Sequence, residues 1–202
     1  MRCRHSSPPG ACTLRLFIAI PLSDALHEAL GTLQADLRAA AGPVSWVKPE
    51  NIHLTLKFLG EVPPAREGAV REAMAEAVAG VPPFTLRAGG CGAFPGGRNP
   101  RVLWVGLGAG GPEAAALASR LETACAARGF PREGRPFKAH LTLGRVRALR
   151  GIEGTMRRLE AHAGEDLGET PAERIVLFES TLHPAGAIYT RRHELPLPGG
   201  TP

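Results

Sequence analysis

The tetrapeptide His-Leu-Thr-Leu occurs twice in this chain, at residues 53–56 and again at 140–143. Successive side chains of a strand point to opposite faces, so His53, Thr55 and Lys57 are expected on one side and Leu54, Leu56 and Phe58 on the other. The second copy sets Lys138, His140 and Thr142 against Ala139, Leu141 and Leu143 in the same way. Each copy is therefore a strand with an apolar back and an imidazole and hydroxyl together in front.

The surrounding pattern repeats as well. Thr13 to Ile20 is β-prone, and Ser23 is placed to cap a helix whose leucines Leu26, Leu30, Leu33 and Leu37 recur at helical spacing. A strand from Val44 to Lys48, the first motif strand, a helix from Pro64 to Val78 and a strand from Phe84 to Arg87 follow. The order restarts with a strand from Val102 to Leu107. A helix from Pro112 to Arg128 comes next, with Leu117, Leu121 and Cys125 on one face and Gly129 as its stop. After the second motif strand come a helix from Ile152 to His162, a strand from Arg174 to Phe178 and a final strand from Ala187 to Leu195. Both halves read strand, helix, motif strand, helix, strand, which predicts a duplicated fold.

Composition permits this and narrows the partners. A chain of 202 residues that is 44% hydrophobic and 21% charged fits one globular domain or two small fused lobes. Its 25 glycines and 19 prolines are spread along the chain, as turn punctuation is. With 24 basic residues against 19 acidic ones the net charge is +5, which suits a polyanion such as nucleic acid and equally a bland solvated surface. Cys3, Cys12, Cys91 and Cys125 have neither the spacing of a zinc site nor that of a disulfide framework. The apolar run from Leu14 to Ile20 stops at Pro21, too short for a secretory signal or a membrane span. A cytoplasmic protein with reduced thiols, needing no cofactor, is the expectation. Residues 1–12 are read as a flexible extension, 13–197 as a single bilobal domain and 198–202 as a flexible tail.

The motifs point to phosphate chemistry. In-line displacement at phosphorus needs a neutral imidazole to take a proton from the attacking hydroxyl and a protonated one to give a proton to the leaving oxygen. With an ordinary pKa near 6.5, histidine serves in either state, and no metal is needed to generate the nucleophile. The threonine hydroxyls would hold the non-bridging oxygens. The only lysines, Lys48, Lys57 and Lys138, all lie within five positions of a motif histidine, and Lys57 and Lys138 share its phase, so they are expected to line the phosphate site. Two other readings remain: a non-catalytic nucleotide or RNA-binding module using the same cleft, and a metal hydrolase with the histidines as ligands, which lacks a carboxylate or thiol at ligand spacing.

Long stretches around the motifs match a known family. They are Arg15-Leu-Phe-Ile-Ala-Ile-Pro, Trp46-Val-Lys-Pro-Glu-Asn-Ile-His-Leu-Thr-Leu-Lys-Phe-Leu-Gly, Arg101-Val-Leu-Trp-Val-Gly, Phe137-Lys-Ala-His-Leu-Thr-Leu-Gly-Arg and Ser180-Thr-Leu-His-Pro-Ala-Gly-Ala-Ile-Tyr. From about Arg15 to Leu195 the chain resembles the two-histidine (2H) phosphoesterases, in particular the RNA 2′,3′-cyclic phosphodiesterases also called 2′-5′ RNA ligases. The resemblance implies a bilobal α+β fold in which two antiparallel sheets flanked by helices enclose a cleft. It also implies opening of a terminal RNA 2′,3′-cyclic phosphate to a 2′-phosphomonoester, with reversible 2′-5′ joining of tRNA halves in many members. By position His53 would be the proton donor to the 3′ oxygen, His140 the base, and Thr55 and Thr142 the phosphate-binding hydroxyls; the two motifs are too alike for the sequence itself to assign acid and base. Departures from the family are the N-terminal extension and a Gly-rich loop from Cys91 to Asn99.

A few residues lie outside this scheme. Arg145 is a candidate RNA-phosphate contact, but strict alternation puts it out of phase with His140 unless Gly144 breaks the strand. Trp46 and Phe94 are candidates for base stacking or core packing. His27 and His162 are expected to be solvated, and His183 and His193 carry no assignment. RNA with a cyclic phosphate end is the expected partner, and a monomer the expected state.

Overall fold

The computed structural model describes residues 13–97, 99–184 and 186–199. The extension expected over 1–12 and the last three residues of the tail lie outside them. In chain order the elements are β1 (Leu14–Ile20), α1 (Asp24–Arg38), β2 (Val44–Trp46), β3 (Leu54–Val62), α2 (Glu67–Val78), β4 (Phe84–Phe94), β5 (Val102–Leu107), α3 (Gly111–Ala127), β6 (His140–Val146), α4 (Glu153–Ala161), β7 (Asp166–Ala172), β8 (Arg174–His183) and β9 (Gly186–Pro196). Ser23 caps α1 as expected, its hydroxyl accepting from the Leu26 amide, and the stripe Leu26, Leu30, Leu33 and Leu37 is buried.

Two antiparallel sheets form, ordered β3-β1-β8-β9 and β2-β6-β5-β4-β7. Matching β3 to β6, β1 to β5, β8 to β4 and β9 to β7 superposes one order on the other, leaving β2 as an addition. The duplication is thus real, but the sequence halves are not the lobes. The first half gives its late strand β4 to the second sheet, and the second half gives β8 to the first. Interlacing of this kind joins the lobes through backbone hydrogen bonds, and one apolar core runs beneath both sheets.

Three elements differ from the sequence reading. β4 continues to Phe94, so the front of the expected Gly-rich loop is strand, with a Gly backbone needed at Gly92 to let the Trp104 indole lie across it. β7 was not foreseen because its sequence, Asp-Leu-Gly-Glu-Thr-Pro-Ala, has little β propensity; it forms by pairing along β4. The β8–β9 ladder extends from Arg174–Pro196 to His183–Gly186, well past the expected Phe178.

The motif strands share one irregularity at the same place. Opposite β1, Thr55 pairs with Ala19, Lys57 with Ile18 and Phe58 with Phe17, so Leu56 is an extra residue. Opposite β5, Thr142 pairs with Trp104, Gly144 with Leu103 and Arg145 with Val102, so Leu143 is extra. The fourth residue of each tetrapeptide is therefore a bulge, and the residues directly after it change face, until in β3 a second extra residue, Leu59, reverses the change. Lys57 turns to the core side with Ile18 and is 2% exposed, while Phe58, expected in the core, is 44% exposed. The expectation that Lys57 shares the front face with His53 is corrected on this ground. Arg145 comes into phase with His140 and Thr142.

Gly144 sits where β6 touches β2, and a Cβ there would lie 2.7 Å from Val44 Cγ1 and 3.2 Å from Trp46 Cε3. Gly144→Ala should therefore destabilise the protein by about 1–3 kcal/mol through overpacking, read as a lower urea midpoint. Gly164→Ala, with nothing within 4 Å, is the control and should change little.

Candidate active site

His53 enters β3 from a short 3-10 turn over Pro49–Asn51, and its Nδ1 lies 2.8 Å from the Asn51 carbonyl. His140 opens β6 with its Nδ1 2.7 Å from the Lys138 carbonyl. In both motifs the partner is the residue two before the histidine. A carbonyl can only accept, so Nδ1 carries the hydrogen and donates it, leaving Nε2 as the basic nitrogen of the neutral ring. Among the described residues neither Nε2 has a hydrogen-bond partner. Two imidazoles are thereby presented in one tautomer, each with the same atom available to a ligand.

Their surroundings differ. His53 lies against an aromatic cluster, stacked on Phe17 at 4.7 Å between ring centroids, with Tyr189 at 5.3 Å edge-on and Phe178 at 6.0 Å. Burial among these rings pushes its pKa down to about 4; the Asn51 carbonyl works the other way, and the nearby His27 adds to the lowering. His53 is therefore neutral at pH 7 in the empty site. His140 meets only the edge of Phe94, at 5.2 Å, and the Lys138 ammonium stands over that ring at 5.3 Å from its centroid.

The remaining front-face residues follow the bulges. Thr55 and Phe58 share His53's side of the first sheet, and Thr142 and Arg145 share His140's side of the second, with β3 and β6 approaching each other. Arg145 also acts across the cleft. Burial raises the Tyr189 phenol, while Arg145 from the second sheet and Arg15 from the first both favour its ionised form. Among the described residues neither arginine makes an ion pair. Beside Thr55 a groove of about 400 Å³ runs between β3, α3 and the segment before β6; Thr55, Phe58, Ser119, Arg135 and Phe137 line it together with Lys57, Glu122 and Glu133.

Lys57 is the expected site residue that the structure turns away from the histidine face, into an ion pair at the groove beside Thr55. Its Nζ bonds Glu122 Oε2 at 2.7 Å and the Pro131 carbonyl at 3.0 Å, and its side chain is 1% exposed. Of the aromatics, Trp46 packs on the core under Arg38, whereas Phe94 reaches the site. His27 is half-buried, and its ring bonds the Ile52 carbonyl beside His53. His162 sits between Asp36 and Glu165, which raise its pKa. Sequence reasoning missed Phe17, Phe178, Tyr189 and Arg15 as site residues; Arg15 and Tyr189 lay inside the matched segments, but nothing local distinguished them. Cys91 and Cys125 are free thiols that burial pushes up to about 11. Among the described residues no three of His, Cys, Asp and Glu gather as a metal site, and no helix is long and apolar enough to cross a membrane.

The fold and the paired sites define a phosphoesterase with two histidines, and the comparison with known proteins agrees. The family model for LigT like Phosphoesterase matches twice, over residues 20–104 and 107–189, and the chain belongs to this family. The two matched segments coincide with the two halves of the duplication. Among relatives, the RNA 2′,3′-cyclic phosphodiesterase of Archaeoglobus fulgidus is 35% identical over 87% of this chain and 96% of its own length. That of Methanothermobacter thermautotrophicus is 33% identical over 88% and 95%. Among solved structures, TT0787 of Thermus thermophilus superposes with a TM-score of 0.73 at 30% identity, covering 93% of this chain and all of that one. E. coli LigT complexed with 3′-AMP gives 0.72 at 25% identity, covering 93% and 99%.

The low pKa has a direct readout. In the free protein the ring proton signals of His53 should titrate near pH 4, well separated from an ordinary histidine. An inflection between pH 6 and 7 assigned to His53 would contradict the burial argument.

Proposed function

We propose that the protein hydrolyses the 2′,3′-cyclic phosphate at RNA 3′ ends to a 2′-phosphomonoester, and that the same site run with an RNA 5′ hydroxyl in place of water makes a 2′-5′ linkage. The observation that carries this is the pair of Nε2 atoms, both left open by Nδ1 bonds to carbonyls, on strands that also present Thr55 and Thr142. The activity named for the relatives from A. fulgidus and M. thermautotrophicus supports the substrate.

The reaction balances with two protons. His140 Nε2 takes a proton from water as its oxygen bonds to phosphorus; the P–O3′ bond breaks, and His53 Nε2 gives a proton to O3′. Phosphate stays on O2′. Thr55 and Thr142 donate to the non-bridging oxygens, and Arg145 and Lys138 supply positive charge. The groove beside Thr55 takes the terminal nucleoside: Phe58 and Phe137 offer aromatic faces that tolerate any base, and Arg135 lies there with the carboxylates of Glu122 and Glu133.

His53 as the acid requires that it be protonated when substrate is bound, although it is neutral in the empty site. The substrate itself provides the correction. A monoanionic phosphate about 4 Å away stabilises the imidazolium by about 4 kcal/mol at an effective dielectric constant of about 20, equal to about 3 pKa units. That lifts His53 from about 4 to near neutrality at the moment it is needed.

Kinetics test this. His53→Ala and His140→Ala should each lower kcat/KM for a cyclic-phosphate RNA by roughly 100-fold to 10,000-fold. In the wild type one limb of the kcat/KM profile should fall near pH 4 and move upward in the kcat profile, because the first reports free protein and the second the complex. Full turnover by the His140→Ala variant would refute the scheme.

A further inference from the structure

The duplication makes each motif strand a neighbour of the segment that leads into the other motif. Val44 and Pro131 each stand nine residues before a motif histidine, His53 and His140. In the first half the lead-in is β2, which pairs by backbone with β6: Val44 with Val146, Ser45 with Arg145 and Trp46 with Gly144. The Val47 amide continues the pairing onto the carbonyl of the bulge residue Leu143, and Gln34 of α1 bonds both Val47 and Leu143 carbonyls. The approach to His53 is thus laced to the strand that carries His140.

The second half lacks this ladder. Residues 131–137 form no strand, and Pro131 and Pro136 have no amide hydrogen to contribute. The attachment is made by side chains instead. Lys57, turned inward by the bulge in β3, holds the Pro131 carbonyl at 3.0 Å and Glu122 at 2.7 Å. Glu122 in turn accepts from the Glu133 amide at 2.9 Å. Gln34 and Glu122 occupy the same place on their helices, directly after the buried Leu33 and Leu121. At the position of Lys57 the other motif strand has Gly144, whose missing side chain makes room for β2. Residues 131–137 run on to Lys138, whose carbonyl sets the His140 ring.

We propose that Lys57 is a positioning residue for His140: through Glu122 and Pro131 it replaces the backbone ladder that anchors the corresponding segment of the other half, and so holds the Lys138 carbonyl where it fixes the His140 tautomer. The consequence for catalysis rests on the function proposed above, but the consequence for the ring does not. Lys57 lies on the strand that follows His53. A purely local disturbance there would reach His53, whereas the proposed coupling reaches His140, so the two affect different histidines.

The test is long-range ¹H–¹⁵N spectroscopy of the histidine rings in the full chain at a pH where both are neutral. In the wild type both rings should carry the proton on Nδ1. Lys57→Met should convert His140 to a mixture of tautomers and leave His53 unchanged, with kcat/KM for a cyclic-phosphate RNA reduced on the order of 100-fold, the cost of a small misplacement of a reacting group. Glu122→Gln, which keeps its shape and remains on a half-open surface, should give the same signature in milder form and serves if Lys57→Met does not fold. An unchanged His140 ring in a folded variant, or a change confined to His53, would overturn the proposal. If the wild type failed to open cyclic phosphates while the ring spectra behaved as stated, the proposed reaction would fall and the role of Lys57 would stand.

Discussion

The extra residue that ends each tetrapeptide, Leu56 in β3 and Leu143 in β6, decides what the cleft contains. Up to that residue ordinary alternation puts imidazole and hydroxyl in front and leucine behind. After it the faces exchange, so that Phe58 and Arg145 join the front while Lys57 and Gly144 go to the back. A strand without the bulge would leave Phe58 in the core and Lys57 in the cleft. Because both copies carry it, the pseudo-symmetry extends from the backbone to the polarity of the site, and the symmetric positions after the bulge hold an aromatic ring on one wall and a guanidinium on the other.

That difference has chemical meaning. The wall of His53 is aromatic, and it disfavours charge on the ring; the wall of His140 carries Arg145 and Lys138. In the proposed reaction an anionic substrate bridges them, attracted to the cationic side and supplying to His53 the negative partner that the protein withholds. Protonation of the acid is then tied to occupancy of the site. Nε2 is the nitrogen left open in both rings for one reason, the carbonyl two residues back, and each lead-in segment is tied to the opposite motif strand, by backbone pairing of β2 in the first half and by the Lys57 side chain in the second.

Much of this was legible in the sequence because it depended on local pattern. The repeated tetrapeptide, the capped leucine helix after Ser23 and the equivalent order of elements located both histidines and both threonines and indicated a duplication. What was not legible depended on partners distant in the chain. The exchange of β4 and β8 between sheets has no local mark, and β7 exists only because β4 offers an edge. The bulges follow from pairing with β1 and β5, so strict alternation misplaced Lys57 and Phe58, while the doubt about Arg145 turned on Gly144, one residue after the bulge at Leu143 where the strand does change face. The gathering of lysines near the motifs was a true signal with a mistaken role at Lys57: proximity in sequence placed it beside the site, and the bulge put it behind the wall.

At the centre stands the claim that two imidazoles alone open a cyclic phosphate, with the P–O3′ bond as the one that breaks. The most direct measurement is ³¹P spectroscopy of an RNA ending in a 2′,3′-cyclic phosphate, incubated with the protein and a chelator in ¹⁸O-labelled water. The expected result is a single product, the 2′-phosphomonoester bearing one ¹⁸O on phosphorus, formed at the same rate with and without chelator. A 3′-phosphomonoester, or activity that chelator abolishes and added metal restores, would contradict it.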